Sequence, residues 1–462
     1  MKKLLLILGL SLSLFSYAQE DDYVIISDID IIGNKVTKPS IVFRELTFSP
    51  GDTVSIATLN ETLRYCRENI LNTDLSNFVD FKSEDDTNCN NCKILIINVV
   101  ERWYFWPIPY IAYADRNLNS WYETKNFARL SYGFDLVYYN MWGLMHELDF
   151  TLIGGYNQQF SITYDIPYIT ERQCFGLMMS GGFKRDKEVA LKTEYDKVVY
   201  FKEENGFTRQ SYYAYLQPYY RFGYRDRLFL KLQYNSDRFS DSIMSLNPDY
   251  SFEVSDIQYF SMSLVMKHDY RDDNNYPLDG HYLELDFTKF GPSFDNEELN
   301  IFYGKVTFDF YTKIYGRLYW ASNVTTRIGN TNDVPYFLTD GLGYKNDFVR
   351  SYERYVVNAM NFALMKNNLK IAILNPTVAY LPLIKNEKFG KIHFALYFNV
   401  FFDMAYTWNM QNDPTSVLQN SLLYGTGVGI DFVTYYDKVL RVEYGINGLG
   451  ESGLFLHLVA PI

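Results

Sequence analysis

The chain has 462 residues, a formal charge of −12 and an aromatic content of 18%, including 42 Tyr and 35 Phe. A surface this acidic repels phosphate backbones, which excludes nucleic acid as a partner. The aromatic content exceeds what a soluble core needs and suits a membrane-spanning barrel with girdles at both interfaces.

Residues 1–18 read as a secretory signal peptide, with Lys2 and Lys3 ahead of an apolar stretch from Leu4 to Phe15 and a small-residue cleavage site at Ser16-Tyr17-Ala18. The rest is therefore expected to be exported. No later apolar run reaches the roughly 18 residues of a spanning helix, so any crossing of a bilayer falls to strands.

Residues 23–102 carry the pattern of a small α+β domain. Val24 to Ile32 alternates and ends in the turn Gly33-Asn34; Pro39 to Leu46 is short and helix-like; Ser55 opens an amphipathic stretch to Ile70; strands follow at Asn77 to Ser83 and Lys93 to Glu101. The predicted order is β-α-α-β-β. The polar turn between the last two strands holds Cys89 and Cys92, which close a tight disulfide or exchange with Cys66; a thiol-redox role would need a βα context that the turn lacks. A single CxxC with no His nearby predicts no metal site.

This order, with Ile32-Gly33-Asn34, Arg44-Glu45-Leu46, Pro50-Gly51-Asp52 and Phe78-Val79-Asp80 in sequence, resembles a POTRA domain, the periplasmic module of the BamA/TamA outer-membrane assembly superfamily. Strand order makes Asn77, Phe78, Val79, Asp80, Phe81, Lys82 and Ser83 the expected client edge strand, open to an extended polypeptide by β-augmentation. The adjoining Glu84-Asp85-Asp86 reads equally well as protective charge.

From Trp106 to Ile462 the pattern is two-residue alternation broken by polar turns, with no helix expected. Leu283, Leu285 and Phe287 share one face while Tyr282, Glu284, Asp286 and Thr288 share the other; Phe302, Gly304, Val306, Phe308 and Phe310 oppose Tyr303, Lys305, Thr307 and Asp309. About sixteen such segments of bilayer-crossing length start near Ile108, Asn126, Met145, Gln158, Cys174, Gln210, Asp226, Ser255, Gly280, Leu299, Tyr315, Asn368, Lys391, Ser421, Asp437 and Gly453. The predicted fold is mainly β: a 16-stranded antiparallel transmembrane β-barrel over 106–462, preceded by the α+β domain.

One long connection, 331–361, breaks the rhythm, and loops of this length are functional or disordered. Within it Val349-Arg350-Ser351-Tyr352 resembles the Val-Arg-Gly-Tyr tip that the superfamily threads back into its barrel, with Ser replacing a residue that adopts positive φ easily. In Phe394 to Trp408 the even positions are apolar, which turns Tyr397, Asn399, Asp403 and Thr407 to the lumen. Phe401-Phe402-Asp403-Met404-Ala405 is similar to the superfamily's Phe-x-Asp-x-Gly strand, whose Asp clasps the loop Arg. The resemblance thus implies a lumenal Arg350–Asp403 pair; read singly, each is an exposed loop cation and a water-facing carboxylate. Asp269-Tyr270-Arg271 through Pro277 and Gly280, and Tyr164-Asp165-Ile166-Pro167, are similar to further superfamily strands and turns.

Pro107 and Pro109 near the first barrel strand, and Pro461 at the last, predict a closing seam short of hydrogen bonds; the plainer reading is an interfacial anchor at Trp103 to Trp106 with prolines that end strands. Neither a Gly-x-Ser-x-Gly elbow nor His-Glu-x-x-His occurs, Gly425-Thr426-Gly427-Val428-Gly429 lies in a strand pattern, and five dispersed histidines predict no ligand cluster. No enzyme activity, cofactor or metal is expected. The resemblance implies a cell outer-membrane protein with its N-terminal domain in the periplasm. Its partners are outer-membrane lipid, unfolded polypeptide or outer-membrane protein clients, and accessory periplasmic proteins; its work is protein insertion or translocation. The alternative is a passive pore or structural barrel without client handling.

Overall fold

The computed structural model describes residues 23–89, 91–113, 130–295, 299–331, 333–380, 390–408, 414–434 and 438–458. The signal segment, the strand starts expected near Asn126 and Asp437, and Pro461 lie outside the described residues. The chain divides into two compact units, with the boundary at Glu101 and Arg102 and the short segment Val36–Lys38 assigned to the second.

The first unit runs β1 (Tyr23–Ile32), α1 (Pro39–Phe43), β2 (Thr53–Ser55), α2 (Ile56–Leu71), β3 (Ser76–Asp85) and β4 (Cys92–Glu101). Its sheet has the order β2-β1-β4-β3, with β1 parallel to β4 and the other pairs antiparallel. The three-residue β2 is an addition to the predicted order, too short for alternation to reveal. Alternating Leu95, Ile97 and Val99 on β4 and Val24 and Ile26 on β1 meet Cys66 and Ile70 of α2 in one apolar core. Each fully buried aliphatic side chain there contributes about 1.5–3 kcal/mol. The turn after β1 depends on Gly33 at φ +96°, where a Cβ would lie 2.1 Å from the Val99 carbonyl oxygen. Cys89 and Cys92 are joined as a disulfide. Cys66 is a free, buried thiol that accepts the Thr47 N–H, and burial pushes its pKa up, so it is placed for packing rather than exchange.

The second unit is a 16-stranded antiparallel sheet. Its strands are β5 (Phe105–Tyr113), β6 (Leu130–Met141), β7 (His146–Gly155), β8 (Gln158–Ile166), β9 (Phe175–Asp186), β12 (Arg209–Arg221), β13 (Asp226–Phe239), β14 (Asp256–Asp269), β15 (Gly280–Ser293), β16 (Ile301–Tyr315), β17 (Leu318–Gly329), β20 (Phe362–Tyr380), β21 (Lys391–Thr407), β22 (Leu422–Val433), β23 (Val439–Asn447) and β24 (Ser452–His457). Short turns at 142–145, 222–225 and 316–317 mark one end, the turn end. The opposite loop end carries a hairpin of β10 (Glu188–Glu194) and β11 (Lys197–Lys202), the helix α3 (Asp241–Leu246) and the long loop 330–361, within which β18 (Gly341–Leu342) pairs β19 (Val357–Asn358). The expectation of no helix after Trp106 is corrected by α3, whose six residues are too few to register a 3.6-residue period.

Alternation sorts the barrel wall by solvent. On β22, Tyr424, Val428, Ile430 and Phe432 face out and are exposed, while Gly425, Gly429 and Asp431 face in and are buried. The same division on β21 puts Val400, Phe402 and Tyr406 outside and Asn399, Asp403 and Thr407 inside. An apolar exterior over a polar, buried interior is the arrangement a sheet needs when lipid is its outer solvent. Pro107 and Pro109 lie within β5, opposite Leu136 and Phe134 of β6, rather than at its end. Being two residues apart, they withhold their N–H groups from the same edge of the strand. Among the described residues no register pair joins β5 to β24.

Candidate functional site: a clasped loop in the barrel lumen

Loop 330–361 folds into the lumen and is held there by successive walls. Lys305 of β16 reaches the Asp347 carboxylate at 2.6 Å, and Arg327 of β17, 3% exposed, donates to the carbonyls of Met360 and Ala359 at 3.0 and 2.6 Å. Lys366 of β20 donates to the Asn346 carbonyl at 2.9 Å with its ammonium over the Phe348 ring. These contacts bring the tip, Val349 to Tyr352, to the wall formed by β21, β22 and β23.

There Arg350 meets Asp403 in a two-pronged pair, Nε to Oδ2 at 2.7 Å and Nη2 to Oδ1 at 2.5 Å, while the Arg350 backbone N–H adds a third bond to Oδ2 at 3.2 Å. The side chains are 3% and 0% exposed. The remaining guanidinium donors are used as well: Nη1 bonds Asn368 Oδ1 at 2.8 Å and Glu443 Oε1 at 3.2 Å, and the plane lies 4.2 Å over the Phe401 ring. A buried charge is tolerated only when paired and fully hydrogen-bonded, and this one is. Ser351 takes φ +75°, the left-handed region that the replaced glycine would enter without cost. Its carbonyl accepts from Asn447 at 3.0 Å, and the Tyr352 hydroxyl accepts the Gly448 N–H at 3.1 Å. Val349 and Tyr352 pack with Leu364, Ala405 and Leu423.

Gly425 is the seat. A Cβ there would lie 2.0 Å from the Arg350 carbonyl oxygen, and one at Gly445 would lie 2.2 Å from Ser351 Oγ. Gly425 of β22 and Gly445 of β23 therefore make room for the tip.

The ion pair continues toward the turn end. Glu443 lies 3.7 Å from Arg441, which grips Asp431 at 2.7 and 2.9 Å; Asp431 also accepts from Asn399 at 2.8 Å and from the Tyr276 hydroxyl at 2.7 Å. Tyr276 belongs to the turn 270–279, which folds inward from the end opposite the loop and packs its ring against Tyr397 and Lys370. Loop tip and inner turn thus meet through one chain of buried charges. Glu443, Arg441 and Asp431 were not singled out in the sequence, Asn368 entered only as a strand start and Tyr276 only within the stretch similar to a superfamily turn. The alternation of β23 carried the signal, because Arg441 and Glu443 fall on its inward parity between exposed, outward-facing Val442 and Tyr444.

At the loop end, Asp196 in the β10–β11 turn accepts the N–H groups of Val417 and Leu418 at 2.8 and 3.1 Å and the Ser416 hydroxyl, tying the hairpin to the connection before β22. Leu191, Phe239, Ile243 and Tyr250, with Phe337 of the long loop, form an apolar cluster beneath it. In the first unit, β3 is the edge of its sheet, paired along its length with β4; Val79 enters the core and Asp80, Lys82 and Ser83 are exposed. Among the described residues no group of three or more His, Cys, Asp or Glu is arranged to hold a metal ion.

Residues 24–102 match the POTRA family model, described as surface antigen variable number repeat. No curated protein matches the sequence. Among solved structures, BamA from Haemophilus ducreyi lacking POTRA domains 1–3 superposes with a TM-score of 0.52 at 14% identity, covering 94% of this chain and 83% of that one. CdiB from Acinetobacter baumannii gives 0.51 at 14% identity over 95% and 74% of the two chains, and CdiB from Escherichia coli 0.51 at 11% over 96% and 90%. The first unit is a POTRA domain, and the whole is a POTRA-plus-barrel protein. In particular, its 16-stranded barrel has the fold of BamA and CdiB, with a POTRA domain ahead of it in the chain.

Proposed function

We propose that the protein is an outer-membrane insertion or translocation factor: the POTRA domain, on the periplasmic side, receives an unfolded polypeptide at the β3 edge, and the barrel passes it into or across the membrane. It does so as a conformational machine, without a catalytic step or cofactor. The observation that carries this reading is the buried Arg350–Asp403 clasp, which holds a loop inside a lumen that a passive pore would leave clear. The resemblance in fold to BamA and CdiB supports the same class of work. Accessory periplasmic proteins belong to the proposal as partners of the POTRA surface.

Depletion in the native cell tests it. Loss of other outer-membrane or exported proteins, with crosslinks from β3 to their unfolded chains, is the expected result. Normal levels and folding of every such protein after depletion would leave only the passive barrel.

A further inference from the structure

The five histidines are scattered in sequence, but the fold joins two of them. His268 is the penultimate residue of β14 and His281 the second of β15, on either side of the inward turn 270–279, and their Nε2 atoms are 3.2 Å apart. His268 lies directly opposite Asp226 in the β13–β14 register, and its Nδ1 is 2.6 Å from Asp226 Oδ1. With the Nδ1 proton donated to that carboxylate, the Nε2 of His268 is left as a lone pair aimed at its neighbour. The Tyr270 ring lies tilted against His268, with centroids 4.3 Å apart, and stacked on His281 at 5.6 Å, and Arg225 covers the Tyr270 ring. The side chain of His268 is 32% exposed, so the pair is open to small ions. Exposed Tyr220 near the end of β12, and Phe222 and Tyr224 on the turn that follows it, lie as in an aromatic girdle at the water boundary.

We propose that His268 and His281 form a two-ligand site for a divalent transition metal ion of borderline softness, such as zinc, nickel or copper. Imidazole nitrogens bind zinc at about 2.0–2.1 Å, and two of them at a tetrahedral angle stand about 3.4 Å apart, close to the observed separation. A ligating histidine almost always passes its other N–H to a carboxylate, which fixes the tautomer and raises ligand basicity; Asp226 is placed to do this for His268. Two protein ligands leave the remaining positions to water, so the site is an exchangeable one. Its position matters because Gly280, where a Cβ would lie 2.1 Å from the Tyr270 carbonyl oxygen, already pinches the neck of the turn that delivers Tyr276 to Asp431. A bound ion would cross-link the strands flanking that neck. The inference is independent of any client.

Titration of the full chain in detergent with ZnCl2 alone, followed by calorimetry, tests the site. One ion per chain is expected, with at least a tenfold loss of affinity in His268→Ala and in His281→Ala. Asp226→Asn should weaken binding by about 10–100-fold while leaving both imidazoles in place. His146→Ala, remote from the pair, should bind as the parent does. Copper(II) bound to the parent should show electron-paramagnetic superhyperfine coupling to two nitrogens. No uptake by the parent chain, binding unchanged in His281→Ala, or coupling to fewer than two nitrogens would each overturn the proposal and leave a plain hydrogen bond between neutral imidazoles. Because the copper spectrum is recorded on the parent chain, the test stands even if a variant fails to fold.

Discussion

The two units bury opposite things. In the POTRA domain apolar Val24, Ile26, Leu95 and Ile97 form the core and most charges lie outside, with Glu45 and Glu101 buried; in the barrel Arg350, Asp403, Asp431, Arg441 and Glu443 are inside, while Val400, Phe402, Val428 and Ile430 face outward. One alternation rule builds both, and the solvent on the outer face decides which parity is hidden. The lesson is energetic. The domain is held by area removed from water, whereas the lumen is held by geometry, because buried charges stabilise only when every partner is in place.

The largest expected effect breaks the lumen side of this comparison. Arg350→Ala leaves Asp403 buried and unpaired and will destabilise the seated loop by about 3–5 kcal/mol, whereas the double substitution with Asp403→Ala will recover part of that loss. Thermal unfolding in detergent and channel conductance in planar bilayers read the two outcomes; identical gating in parent and variant would refute the clasp. The matching change on the other side, Leu95→Ala in the POTRA core, will cost about 2–5 kcal/mol by cavity formation and leave conductance alone. Gly425→Ala places a methyl against the Arg350 carbonyl and will cost about 1–3 kcal/mol, read as loop-tip exposure to a protease. Smallest, Ser351→Gly relieves a left-handed backbone and will raise thermal stability by about 1 kcal/mol at most, since Ser351 Oγ makes no hydrogen bond that would be lost. A fall in stability there would mean that the φ of the tip is imposed by something other than the seat.

Much of this was legible beforehand, for identifiable reasons. Strict alternation in Phe394 to Trp408 fixes the parity of Asp403 without any knowledge of its partner, and the structure turns Asp403 inward on that parity. The first POTRA strand and the long second helix carry period and turn residues strong enough to read. Legibility fails where a feature is short or non-local. The helix α3 and strand β2 offer too few residues for a period, and β20 begins at Phe362 rather than near Asn368 because Ala363 and Asn367 on its outward parity blur the apolar face. The Glu443–Arg441–Asp431–Tyr276 chain joins strands β23 and β22 to the distant turn 270–279, and while alternation shows which side chains face inward, no local pattern announces that they meet. The role of Gly425 and Gly445 was hidden for the same reason: what a missing side chain makes room for is visible only once the loop is seated.

That seat has a mechanical consequence. With backbone pressed on backbone at Gly425, the tip has no slack in which to slide along the wall, and close-packed contacts of this kind have discrete arrangements rather than a continuum. The loop should behave as a bolt, either home or withdrawn, and not as a diaphragm that widens by degrees. Single-channel recordings would then show abrupt steps between a few fixed levels.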